Sequence, residues 1–275
     1  MSKTILITGS TDGLGMEVAR RLAVQGHKVL LHGRNKDKGN KALAEFKKVS
    51  GNTDLHYFNA DLSTLSEVKR LTEEVISSQS RLDVLVNNAG IGPRTKESSR
   101  SLSGDGHELF FAVNYLAGYL LARQLLPLLK QSAPARIINV ASIGQAPVNF
   151  ADVMLENNYD DFLAYRQSKL AQILHANDLT AQLEGTGVTA NSLHPATLMG
   201  TKMVTDSSYL PDSMTSVDNG ADALENLIVN EKLVDTSGVY FDGLNAAFAD
   251  DHVYDSSAQI QLRELSESFI EKMVN

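Results

Sequence analysis

Tyr165 and Lys169 stand four residues apart in the stretch Ala164-Tyr165-Arg166-Gln167-Ser168-Lys169-Leu170-Ala171. The apolar positions that follow (Leu170, Ile173, Leu174, Leu179, Leu183) recur at helical spacing, and Gly185 and Gly187 supply a stop. Residues four apart share a helix face, so the phenol and the ammonium can reach one point in space. A free tyrosine titrates near pH ~10 and is a poor proton carrier at neutrality. A neighbouring ammonium favours the phenolate and lowers that value, which makes the pair a general acid–base for a carbonyl or a hydroxyl. An ordinary surface pair has the same spacing, so the surrounding elements decide between the two.

Other residues stand where chemistry can collect. The first strand-like run, Lys3–Thr8, leads into Gly9-Ser10-Thr11-Asp12-Gly13-Leu14-Gly15 and then a helix. Glycines there permit a tight turn and close backbone approach to a pyrophosphate, and the unpaired N–H groups of the helix start hold the anion. The spacing differs from Gly-x-Gly-x-x-Gly, and a plain turn is the other reading. The second strand ends Leu31-His32-Gly33-Arg34-Asn35. No acid is there to take an adenosine ribose. An arginine suits a 2′-phosphate instead, with Asn35 and Lys38 as possible helpers, unless Arg34 is simply a solvated loop cation. Asp61 sits at the end of the third strand, either beside a ligand or as an acid favoured near a helix start, and Thr64 with Glu67 fits a capping box. Asn87-Asn88-Ala89-Gly90 closes the fourth strand, and Ser142 follows the fifth, where it can donate to a substrate oxygen or cap a helix. Asn114 lies inside an otherwise apolar helix, against its propensity.

The elements needed to position these residues are legible. Strand runs at 3–8, 28–31, 55–58, 84–86, 136–140, 188–192 and 239–241 alternate with helical patterns at 14–23, 38–49, 65–76, 108–129, 165–183, 222–229 and 258–273. Alternation of this kind predicts a parallel sheet with helices on both faces, about seven strands in a single domain spanning 1–275. The chain has 275 residues, 43% hydrophobic and 21% charged, no cysteine and a net charge of −8. This composition excludes disulfides, thiol nucleophiles and cysteine-based zinc sites, and argues against nucleic-acid binding. His107, His175 and His194 make no metal spacing, so no metal is expected. The longest apolar run, 116–129, is broken by Arg123, Gln124 and Pro127 and is too short to span a bilayer. The first strand begins too early to leave room for a signal peptide, so a cytoplasmic protein is expected.

Taken together, these residues resemble the short-chain dehydrogenase/reductase family over nearly the whole chain. Thr8-Gly9-x-x-x-Gly13-x-Gly15 matches its nucleotide loop, Asn87-Asn88-Ala89-Gly90 its second signature, and Asn114, Ser142, Tyr165 and Lys169 follow the order of its catalytic set. His32-Gly33-Arg34-Asn35, Asp105-Gly106-His107-Glu108 and the long interval from Ser142 to Tyr165 look like the retinol-dehydrogenase-like branch. Two departures stand out. Pro195-Ala196 replaces the family's Pro-Gly, and no membrane anchor like that common in the vertebrate retinol enzymes is expected, so a retinoid substrate does not follow.

The resemblance implies a Rossmann-like doubly wound α/β fold and reversible hydride transfer between a nicotinamide cofactor and a carbonyl or alcohol. Tyr165 would be the general acid–base. Lys169 would lower its pKa and bind the nicotinamide ribose, Ser142 would hold the substrate oxygen, and Asn114 would hold a water of the proton relay. Cofactor contacts are expected from Gly9, Ser10, Thr11, Gly13, Leu14, Gly15, Arg34, Asn35, Asp61, Leu62, Asn88, Ala89, Gly90, Tyr165, Lys169, Pro195 and Thr201, with NADP(H) preferred over NAD(H). Segments 144–161 and 195–217, the latter with Met199, Met203, Tyr209, Leu210 and Met214, are expected to wall a pocket for a medium-sized apolar carbonyl or alcohol. A homodimer or homotetramer is expected through the 116–129 helix and the Tyr165 helix. Two other readings carry less of the pattern: a non-catalytic NADP(H)-binding sensor, and a sugar-nucleotide epimerase or dehydratase.

Overall fold

Short aliphatic and β-branched runs become strands that are covered on both sides. Thr4–Ile7 (β1) and Ala135–Val140 (β5) are buried at every position, as strands of a parallel sheet under two helical layers must be. The computed structural model describes residues 2–93, 99–206 and 214–271. In it β1 and β5 share one sheet with β2 (Lys28–Gly33), β3 (Leu55–Asn59), β4 (Val84–Asn87), β6 (Val188–His194), β7 (Tyr240–Asp242) and β8 (Asn245–Ala247). The order is β3-β2-β1-β4-β5-β6-β7-β8. Strands β1 to β7 run parallel and β8 runs antiparallel to β7. This is the doubly wound order, with ligand sites expected where strands β1 and β4 diverge. The seven anticipated strands are present. The eighth, Asn-Ala-Ala, has no β-propensity of its own and is turned back on β7 by Gly243, which adopts φ 58° in a two-residue turn.

Side-chain alternation along the strands divides the core in two. Leu6, Leu30, Leu85 and Ile137 face the layer of α3 (Leu65–Ser78), α4 (Ala117–Gln131) and α5 (Asp161–Gln182). Ile5, Ile7, Val29, Val86 and Ile138 face α1 (Gly13–Val24), α2 (Lys36–Ser50) and α7 (Val217–Val229).

Three local expectations are revised. Helix α5 begins a turn before Tyr165, where Asp160 Oδ1 accepts from the Leu163 amide at 2.7 Å. The helix foreseen over 108–129 opens instead with a π-helical turn at Phe111–Leu116, which contains Asn114. Thr64 does not cap α3 with its side chain. Asp105 Oδ2, forty residues away in sequence, takes the Leu65 amide at 2.7 Å, and Glu67 pairs with Arg70. Local spacing could not reveal a cap supplied by tertiary structure.

Helix α8 (Ser256–Glu271) lies across α4 and α5. Tyr115 and Ser266 share a buried hydroxyl hydrogen bond of 2.7 Å, Tyr119 donates to Glu267 at 2.5 Å, Arg123 pairs with Glu267, and Arg263 pairs with Asp178 at 2.5 Å. Part of the face foreseen as a dimer contact, on α5, is therefore taken by the chain's own helix, which reaches α4 through Tyr119 and Arg123. Among the described residues, no helix is long and apolar enough to cross a membrane, and no cluster of ligating side chains could hold a metal ion.

Candidate active site

The catalytic corner forms where α5 passes the carboxyl ends of β4 and β5. Tyr165 and Lys169 leave the same face of α5, and Lys169 Nζ lies 5.8 Å from the centre of the Tyr165 ring. Ser142, just beyond β5, faces the Tyr165 side chain closely enough to favour its phenolate, and its Oγ accepts from the Gly144 amide at 3.0 Å. Lys169 is 3% exposed and donates to the Val140 carbonyl at 2.9 Å and to Gln172 Oε1 at 3.0 Å. Asn114 reaches the same corner from the π turn. Gly90 lies beside both: a Cβ there would stand 3.2 Å from Asn114 Oδ1 and 3.5 Å from Lys169 Nζ. An apolar wall of Phe110, Leu155 and Ile91 backs Tyr165, and its ring meets that of Phe110 edge-on at 6.4 Å.

Burial governs the titration of this pair. It pushes the Tyr165 phenol up, with the Ser142 hydrogen bond acting in the opposite sense, and it pulls the Lys169 ammonium down to about 7. Lys169 itself donates to Val140 and Gln172, and Ser142 is the group that favours the Tyr165 phenolate here. Asn114 is held by its side chain. Its Oδ1 accepts from the Ile91 amide at 2.8 Å, and its Nδ2 donates to the Ile91 carbonyl and to Ser168 Oγ at 3.1 and 2.9 Å. The side chain splints loop 90–91 to α5.

The glycine turn after β1 has the shape that close approach requires. Gly9 adopts φ 66° and lies so near Ala89 that a Cβ would stand 2.9 Å from its Cα, while Gly15 leaves no room beside Asn88 and the Gly9 carbonyl. Asn88 Nδ2 donates to the Thr8 and Gly9 carbonyls at 2.8 and 3.3 Å. Thr8 Oγ1 accepts from the amides of Asn88 and Ala89 at 2.9 and 3.0 Å. Ser10 bonds the His32 backbone, and Thr11 fills the space above Gly33. Leu14 and Leu62 are buried core residues. Buried His32 is fixed in one tautomer: Nδ1 accepts from the Gly9 amide at 3.2 Å, so Nε2 carries the proton toward the Ala60 carbonyl at 3.2 Å. Burial holds its pKa at about 4.

Around the outer end of this loop the foreseen contacts divide. Arg34 is exposed, with no side-chain hydrogen bond or ion pair among the described residues. Asn35 is partly committed, because Oδ1 caps α2 through the Lys38 amide at 2.9 Å. Asp61 Oδ1 accepts from the Ser63 amide at 2.9 Å, forming a turn before α3. Asp12 was not foreseen. It caps α1 and pairs with Lys202 at 2.8 Å and Lys38 at 3.6 Å. Burial works to raise it, but the hydrogen bond and charge of Lys202 outweigh that and hold the carboxyl below its ordinary range.

After β6 the chain returns to the loop. Thr201 precedes the short helix α6 (Lys202–Thr205) without a side-chain cap and sets its methyl against Gly13, Pro195 flanks Gly220, and Met203 reaches Gly92. The Pro-Gly departure causes no strain at Ala196; the left-handed residue here is Leu198, φ 50°. Tyr209 and Leu210, expected in the pocket wall, lie outside the described residues. Beside Ser142 a groove of about 350 Å³ is lined by Ile143, Gln145 and Tyr240 and by Phe248, which follows β8. Tyr240 donates to the Ser142 carbonyl at 3.2 Å. This wall was not foreseen, because it depends on the unrecognised β7–β8 hairpin.

Residues 3–209 match the family model for short chain dehydrogenases. Human retinol dehydrogenase 13 is 35% identical over 260 residues, covering 88% of this chain and 76% of that protein. Mouse retinol dehydrogenase 12 is 34% identical over 249 residues, covering 87% and 77%. A crystal structure from Mycobacterium paratuberculosis superposes with a TM-score of 0.80 at 27% identity, covering 98% of this chain and 93% of that one. A short chain dehydrogenase from Shigella flexneri, complexed with NADP, shares the fold at TM-score 0.71 and 24% identity over 88% and 97% of the two chains. The chain belongs to the short-chain dehydrogenase/reductase family, in its retinol-dehydrogenase-like branch, and is an oxidoreductase of the nicotinamide-dependent kind.

Proposed function

We propose that the protein is an NADP(H)-dependent carbonyl reductase or alcohol dehydrogenase acting on medium-sized apolar substrates, with Tyr165 as general acid–base. The observation that carries this is the placing of Tyr165 beside buried Lys169, whose Nζ lies 5.8 Å from the ring centre and donates to the Val140 carbonyl at the carboxyl end of β5. The residues present fit a dinucleotide. The glycine turn is open where a side chain would obstruct, Gly90 leaves space at Lys169, and Arg34 is unpaired where the adenosine ribose would lie. When bound, the nicotinamide supplies or accepts the hydride.

The protein's own groups handle the proton and the charge. Ser142 Oγ accepts from Gly144, so its one O–H is the group it can donate, and a substrate oxygen set between Ser142 and Tyr165 would receive it in place of the phenol. Tyr165 gives its proton to that oxygen in reduction and recovers it in oxidation. Two of the Lys169 N–H groups go to Val140 and Gln172, and the third is left for the site. Phe110, Leu155 and Ile91 exclude water on the Tyr165 side and favour an apolar substituent on the reacting carbon.

The test is NADPH oxidation with a panel of aliphatic and aromatic aldehydes and ketones, followed by absorbance. Native enzyme should turn over apolar members. Tyr165→Phe should retain cofactor binding and lose at least about a hundredfold in kcat, the scale of general-acid catalysis. Native turnover by Tyr165→Phe would assign the proton to another group.

A further inference from the structure

Lys169 is held by a residue that the family signature does not include. Gln172 lies one turn further along α5 and is 2% exposed, and its Oε1 accepts from Lys169 Nζ at 3.0 Å. The Gln172 carbonyl accepts from Asn139 Nδ2 at 2.8 Å, and Asn139 Oδ1 accepts from Asn87 Nδ2 at 2.9 Å. A polar chain thus runs from β4 through β5 to the catalytic helix. The orientation of the amide follows from the lysine, because turned the other way it would set donor against donor. In the orientation found, Gln172 Nε2 is buried without a partner. An orphaned buried donor costs stability, and a methionine would fill the same space without it. Packing alone does not account for glutamine here, whereas the oxygen it turns to the ammonium does.

We propose that Gln172 is a positioning residue that holds the Lys169 ammonium at the reaction corner and sustains its protonated form. The inference rests on the reading of Lys169 given above. Burial disfavours the ammonium, and its other protein acceptor is a single carbonyl, that of Val140. The titratable groups facing Lys169 are Tyr165 on its own helix and His194 on β6, with Asp242 of β7 acting on His194 in turn. None of these is a carboxylate in contact with the ammonium, so the neutral Gln172 oxygen carries weight.

The test compares native protein with Gln172→Met and with the near-isosteric Gln172→Glu. Lys169 is titrated by NMR in cofactor-free protein carrying labelled lysine, and pH–rate profiles and thermal midpoints are recorded alongside. Loss of the acceptor should lower the Lys169 pKa by about one unit, a tenfold change in its protonation constant. A carboxylate in the same place should raise it. The corresponding limb of the rate profile should move with each variant, down for Met and up for Glu. A Lys169 pKa that stays put, or that moves the same way in both variants, would overturn the proposal. Full turnover in Tyr165→Phe would instead count against the catalytic reading and leave the lysine titration to judge Gln172 separately.

Discussion

Arg34 leaves the end of β2 with its guanidinium in solvent, and the nearest cations of the glycine turn, Lys38 and Lys202, are already engaged by Asp12. Arg34 itself has no ion pair among the described residues, and its guanidinium suits a bidentate phosphate. Arg34→Ala should weaken NADP(H) by about tenfold or more, the loss of a charge-assisted bond of roughly 1.5–3 kcal/mol, and leave NAD(H) nearly unchanged. Calorimetric titration with both cofactors checks this, and equal native dissociation constants would remove the assignment. Residue identity also marks how far the sequence could be read. Tyr165, Lys169 and Ser142 were legible because their types and order are specific. Gln172 and Asp12 were not, because a glutamine in a helix and an aspartate in a turn look the same whether or not a lysine from elsewhere reaches them.

Among the elements, the β1 turn is tied to β2 and β3 through His32. The bond from Gly9 to Nδ1 needs a neutral ring, and burial keeps it neutral down to about pH 4. An unfolded histidine takes up its proton near pH 6.5, so between those values the unfolded state binds more protons than the folded one. The contribution is present above about 6.5 and is lost as pH falls toward 4, at about 1.4 kcal/mol per unit. Denaturant midpoints should fall over that window, and His32→Phe should flatten the fall while raising the cofactor dissociation constant through a looser Gly9. An unchanged slope in His32→Phe would assign the acid sensitivity to other groups. At this scale the sequence served well wherever periodicity was long: seven strands and the main helices were read within a few residues. It failed where tertiary contacts override local signals, as with the Asp105 cap on α3, the π turn that accommodates Asn114, and β8, whose three residues are strand only because Gly243 folds them onto Tyr240–Asp242.

At the scale of the whole molecule, α8 packs on α5, the helix that bears Tyr165 and Lys169. Arg263 offsets the burial that raises the Asp178 carboxyl on α5. Arg263→Ala would leave that carboxylate partly buried with Gln182 as its side-chain partner. The expected cost is about 2 kcal/mol, or a fall of a few degrees in thermal midpoint for a chain of this size. Thermal unfolding followed by circular dichroism decides it, and an unmoved midpoint would mean that α8 does not dock there. On α5, part of the apolar face foreseen as an oligomer contact receives α8, and an apolar stripe reads the same in sequence whether a second copy or a distant part of the same chain packs on it.

That covering helix also has a consequence for the order in which the molecule assembles. Its hydrogen bonds to Tyr115, Tyr119 and Asp178 span 151, 148 and 85 residues of sequence. Contacts so distant along the chain form late, because long loops must close before they return any stabilisation. The sheet and α1 can be in place while the outer face of the helix bearing Tyr165 and Lys169 is still exposed to water. Cofactor binding at the glycine turn should therefore recover before turnover during refolding, with catalytic competence waiting on the arrival of α8.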